Sequence, residues 1–164
     1  MHHHRQDSWF NYLFGAKESG FYGALNLSTG TTTLFIPRLP ADYAVVCGEI
    51  YPPEHFAAIY AVDEVLYADD LKDHLKNALT ASGPDAKIHL LEGLNTDSGL
   101  TAKPATFKGD EELAASVDKS LLFNALSTAR VTKSEKEIEV MLYCAYVASN
   151  AHVEGEFGVT ALEV

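Results

Sequence analysis

The chain has 164 residues and a mass of 17.9 kDa, room for one domain with an appendage. With 47% hydrophobic and 21% charged residues it has the balance of a globular protein and not of a disordered one. A formal charge of −11 repels nucleic-acid phosphates and anionic membrane surfaces, and leaves basic partners open.

Residues 1–4 end in His2, His3 and His4, with Arg5 next, and read as the remnant of an expression tag; no apolar signal run follows Met1. Ser8 to Phe14 is dense in aromatics, and a strand or a short helix both fit. Phe21 to Leu27 and Thr31 to Ile36 read as a hairpin around Ser28-Thr29-Gly30, closed off by Pro37 and Pro40. Ala44 to Cys47 is a short apolar run, expected as another strand. Pro52-Pro53-Glu54 opens a helix, with Phe56, Ile59 and Tyr60 expected to face inward. Val65 to Tyr67 is a strand. Asp69 or Asp70 is expected to cap a helix bearing Leu71, Leu75, Ala78 and Leu79, which Gly83-Pro84 ends. Lys87 to Leu91 reads as a strand, and Glu92 to Gly99 as a loop.

Asp110 to Val117 is acidic at its start, which suits a helix. Leu121 to Leu126 is strand or helix. Thr132-x-x-Glu135 forms a capping box, with Ser134-x-x-Glu137 as the overlapping alternative. Behind it Ile138, Met141, Leu142, Ala145 and Ala148 fall three or four apart, a helix reaching about His152. Strands interleaved with helices give an α/β fold: a mixed central β-sheet flanked by helices, ending in a long helix. The longest charge-free stretch, Ser19 to Pro37, is full of Thr, Ser, Gly and Asn, and no membrane span is expected.

The motifs for chemistry are sparse. The histidines outside the first residues are His55, His74, His89 and His152, and only Asp70 and His74 stand at i, i+4. That pair reads as a capping aspartate near a surface histidine, not as metal ligands. The two cysteines, Cys47 and Cys144, are too few for a disulfide framework or a thiolate zinc site and fit a reducing, cytoplasmic compartment. Both are read as packing residues. No GxSxG, GxxxxGK[ST] or GxGxxG occurs, so the hydrolase elbow and the phosphate cradles lack support. Asn95-Thr96-Asp97-Ser98-Gly99 reads as a turn that satisfies its own backbone, with ligand binding as the sharper reading. The residues therefore describe an acidic α/β domain with no self-contained active site, so that no catalytic, substrate-binding or metal-binding residue is assigned.

Several segments, in order, resemble one family. Thr33-Leu-Phe-Ile-Pro-Arg-Leu-Pro40 is similar to the "LFVPRLP" stretch of prolidases, the Xaa-Pro dipeptidases. The aromatic run from Trp9 to Gly15 resembles theirs. His55-Phe56 with Tyr60-Ala-Val-Asp-Glu-Val65 resembles "HF…YAVDDV", and Gly93-Leu-Asn-Thr-Asp-Ser-Gly99 resembles "GVNTDSG". Ala129-Arg130, Lys133-Ser134 and Glu137-Ile138-Glu139 resemble the start of the linker helix shared by creatinase, aminopeptidase P and prolidase.

The resemblance implies a creatinase-like N-terminal domain over residues 5–131, truncated at its start. It further implies a linker helix over residues 132–153, leading to an absent C-terminal catalytic domain, and an atypical tail over 154–164. The parent would be a cytoplasmic, homodimeric dipeptidase cleaving dipeptides that end in proline. Two divalent metal ions, manganese by resemblance, would be held in the absent domain by two Asp, one His and two Glu; none of these has a counterpart here. The N-terminal domain would serve dimerisation and active-site access, and this chain alone would be inactive. Val46 stands where some relatives carry a tryptophan that approaches the partner subunit's active site; valine cannot supply that aromatic lid, and Val46 is kept only as the one candidate interface residue. Two other readings are an aminopeptidase P domain and a non-enzymatic creatinase-like module for a basic protein partner.

Overall fold

The first element of the computed structural model, which describes residues 5–160, is set by Asp7. Its carboxylate accepts the backbone N–H groups of Trp9 and Phe10 at 2.9 and 3.1 Å and so caps helix α1 (Ser8–Phe14). The aromatic run is thus a helix, ended by Gly15 at φ 67°. It places Phe14 over the Gly23 backbone, where even an alanine Cβ would fall 2.3 Å from the ring.

The hairpin forms as its sequence predicts. Strands β1 (Tyr22–Asn26) and β2 (Thr31–Ile36) pair antiparallel. The turn between them is held by the Asn26 side-chain oxygen, which accepts the N–H of Ser28 at 3.0 Å. Strand β3 (Glu64–Tyr67) joins β2 in parallel, giving a three-stranded mixed sheet in the order β1-β2-β3. Asp63 fastens the start of that parallel pair: its carboxylate accepts both the N–H and the hydroxyl of Thr32, each at 2.7 Å. As the middle strand, β2 carries the core. Leu34 and Phe35 are 0% exposed and Ile36 2%, a continuous apolar run suited to a strand covered on both faces.

Helices α3 (Pro53–Ile59) and α4 (Leu71–Ser82) follow their sequence signals. Proline opens α3, and Phe56 is its buried residue, meeting the ring of Phe21 edge-on at 5.1 Å. Ile59, expected to face inward, is 56% exposed, because two short turns offer only one covered position. Tyr60 is half-buried and donates its hydroxyl to Glu18 at 2.6 Å. A 3-10 turn over Ala68–Asp70 leads into α4. Asp70 stands at the N-cap position of α4 but makes no side-chain cap bond. Asp69 instead pairs with Arg38 at 2.8 Å, while the Arg38 guanidinium lies 3.7 Å above the Tyr67 ring. Gly83, at φ 102°, ends α4 as expected.

Ala44 to Cys47 is not a strand. It lies in helix α2 (Tyr43–Cys47), wound by turn bonds from the N–H groups of Tyr43 and Ala44 to the carbonyls of Pro40 and Ala41. The strand preference of valine expresses packing on a pleated surface, and none is offered here: Val45 and Val46 are each 86% exposed.

The remaining strands are two-residue ladders. Strand β4 (Ile88–His89) is shorter than the expected Lys87–Leu91 and pairs parallel with β7 (Val117–Asp118). Strands β5 (Gly93–Leu94) and β6 (Thr101–Ala102) pair antiparallel, so the stretch expected as pure loop begins with a strand. The acidic helix signal before β7 is realised as a 3-10 helix over Asp110–Ser116. The sheet with α3 and α4 beside it is the α/β arrangement expected for a creatinase-like N-terminal domain.

Gly93 is a further point of close approach. A Cβ there would fall 2.1 Å from Cγ of Phe123, an atom near the root of its side chain that cannot swing away. Gly93→Ala is expected to destabilise the fold by about 1–3 kcal/mol, the range for overpacking. Urea unfolding of the variant checks this, and Phe123→Leu in the same chain should restore part of the loss.

The chain divides after Phe123 into two compact units. The second holds most of α5 (Leu122–Val131), which makes the Leu121–Leu126 stretch helical from Leu122 on, and all of α6 (Glu135–Thr160). The second of the two candidate capping boxes starts α6. The N–H of Ser134 donates to Glu137 at 2.7 Å, and the N–H of Glu137 donates back to the Ser134 hydroxyl at 3.3 Å. The helix continues beyond the expected end near His152 to Thr160, since Glu154, Gly155 and Glu156 supply no stop. The expected tag remnant at residues 1–4, and residues 161–164 of the expected tail, lie outside the described residues.

Candidate domain interface

Three of the four histidines singled out in the sequence lie against rings or beside a carboxylate. His74 turns its ring edge-on to Phe35 at 5.3 Å, and His55 stacks on Tyr51 at 3.9 Å. His89 lies beside Asp118, with Nδ1 3.7 Å from a carboxylate oxygen and no hydrogen-bond partner. The other Asp118 oxygen accepts the hydroxyl and the N–H of Ser120 at 2.6 and 2.7 Å. These bonds, led by the Ser120 hydroxyl, hold the Asp118 carboxyl below the usual carboxylate range. Ser120 thus donates its hydroxyl to a carboxylate whose lowered pKa makes it a weak base, poorly suited to activating a nucleophile. Among the described residues, no three His, Cys, Asp or Glu side chains gather closely enough to hold a metal ion. A metal pair of the kind implied by the sequence resemblance therefore does not fit the residues described.

A shallow cleft of about 860 Å³ runs beside β4 and β7, lined by Lys87, Glu92, Asp118, Lys119 and Ser120 among others. Its cations are engaged within the chain. Lys119 pairs with Glu92 at 3.2 Å, and Lys87 donates to the Ala115 carbonyl at 3.3 Å. The Asn95–Gly99 segment behaves as the turn reading predicts. The Asn95 side-chain oxygen accepts the N–H groups of Asp97 and Ser98 at 3.0 and 3.2 Å, and Gly99 adopts φ 68°.

Asp63 and Asp118 make the fold acid-sensitive. Hydrogen bonds from Thr32, the backbone N–H first, lower the Asp63 carboxyl, as Ser120 lowers Asp118. A carboxyl lowered by folding adds stability that is complete above its unfolded value, about 3.9, and is lost as pH falls through the folded value. The urea midpoint of the wild type should therefore drop below about pH 4 more steeply than that of Asp63→Asn. Parallel acid limbs for the two proteins would contradict this.

What the structure leaves open is apolar surface. In the first unit it includes α2, where Val46, the sequence candidate for an interface, is exposed beside Val45, as well as Leu27 and Leu100 elsewhere. In the second it is α6. Val140, Met141, Leu142, Tyr143, Tyr146 and Val147 are between 48% and 68% exposed. Four of these are consecutive, and successive helical residues point about 100° apart, so they cover every side of the helix. An isolated water-facing helix keeps its apolar residues to one stripe; one that is apolar all round belongs in an interior. Sequence reading missed this because the three-and-four spacing from Ile138 to Ala148 looks like a single buried face. Cys144, read as a packing residue, is exposed for the same reason. The side chain of Cys47 lies outside the described residues. Among the described residues, no helix is long and apolar enough to cross a membrane.

The described residues thus form an α/β domain followed by a long helix with exposed apolar sides. The chain belongs to the family described as aminopeptidase P, N-terminal domain, which matches residues 1–89. It is 41% identical over 150 residues to the Xaa-Pro dipeptidase of Rattus norvegicus and 39% identical over 150 residues to that of Homo sapiens. It is 30% identical over 152 residues to the "Probable Xaa-Pro aminopeptidase pepP" of Sclerotinia sclerotiorum. These alignments cover 92%, 92% and 90% of this chain, but 29%, 29% and 24% of the relatives. The chain thus spans less than a third of the length of the curated relatives it matches.

Proposed function

We propose that this chain is the N-terminal domain of an Xaa-Pro dipeptidase whose catalytic machinery lies in residues outside it. The observation that carries this reading is the pairing of 41% identity to an Xaa-Pro dipeptidase over 92% of the chain with only 29% coverage of that relative. The dipeptidase reading stands ahead of the aminopeptidase one because identity to the dipeptidases is 39–41%, against 30% or less for the aminopeptidases.

In the whole protein, two divalent ions, manganese in this reading, would activate water to hydrolyse the bond before a C-terminal proline. This domain would wall the active site and limit entry to short substrates. Helix α6 would pass into the catalytic domain, which would cover the apolar sides left exposed here. Val46 and its neighbours on α2 would face the second subunit of a cytoplasmic homodimer.

The test compares the 164-residue chain with the whole protein, each supplied with Mn²⁺ and a dipeptide ending in proline. The whole protein should release proline and this chain should not. Release by this chain alone would overturn the division of labour. Removal of the first residue from longer Xaa-Pro peptides, with dipeptides spared, would move the parent to the aminopeptidases.

A further inference from the structure

We draw no further inference here: the strongest candidate, the apolar surface of α6 between Val140 and Val147, belongs to the domain interface already proposed, and nothing in the structure shows what else covers it.

Discussion

Phe35→Ala is expected to cost about 3–5 kcal/mol, the range for removing a buried phenylalanine ring. Phe35 is 0% exposed near the end of β2, the middle strand, with β1 on one side, β3 on the other and the ring of His74 against it. Its loss would leave a cavity that neither neighbouring strand can close, because both are fixed to β2 by the backbone ladder. Were the total stability at the low end of the usual range of about 5–15 kcal/mol, the variant would be partly unfolded near body temperature. Urea denaturation followed by circular dichroism checks this. A loss below about 1 kcal/mol would mean that Phe35 is not the packed centre of the sheet.

Leu142→Asp is expected to behave differently in two settings. In this chain Leu142 is 66% exposed, and the substitution should change stability by no more than about 0.5 kcal/mol, as surface changes do. In the whole protein, where the catalytic domain is proposed to cover α6, the same aspartate would be buried without a partner. The cost is then several kcal/mol, or a shift of the carboxyl toward its neutral form. Thermal unfolding of both proteins, with and without the substitution, separates the cases. Equal effects in the two would show that α6 stays exposed in the parent, and would remove the structural support for the proposed interface.

These expectations rest on features of unequal legibility. The hairpin was readable because Ser28-Thr29-Gly30 and the Thr31–Ile36 run combine turn chemistry with strand propensity. The start of α3 was readable from Pro52-Pro53-Glu54, and the end of α4 from Gly83. Each of these is a local backbone requirement. Ala44 to Cys47 misled because its valines favour a strand only where a sheet receives them, and a sheet position is a tertiary fact. The α4 cap was legible in position, at Asp70, but not in its bonding. Asp69 is drawn to Arg38, thirty-one residues earlier in the chain, by a contact that local sequence does not reveal. The two overlapping boxes before α6 could not be ranked from spacing alone, since Thr132 and Ser134 each have glutamate three residues on.

The candidate site was legible mainly as a lack. No nucleophile, cradle or ligand motif stood in the sequence, and the structure places His55, His74 and His89 in ring contacts or beside a single carboxylate. The positive feature, the apolar sheath of α6, was hidden because spacing identifies a helix without saying how many of its sides need cover.

The central claim is that this domain is the non-catalytic part of a two-metal Xaa-Pro peptidase. The most direct measurement reads the parent transcript across and beyond residue 153. The account predicts that the frame continues into a domain carrying two aspartates, one histidine and two glutamates as metal ligands. A frame that ends there, or one in which those ligands are replaced, would contradict it.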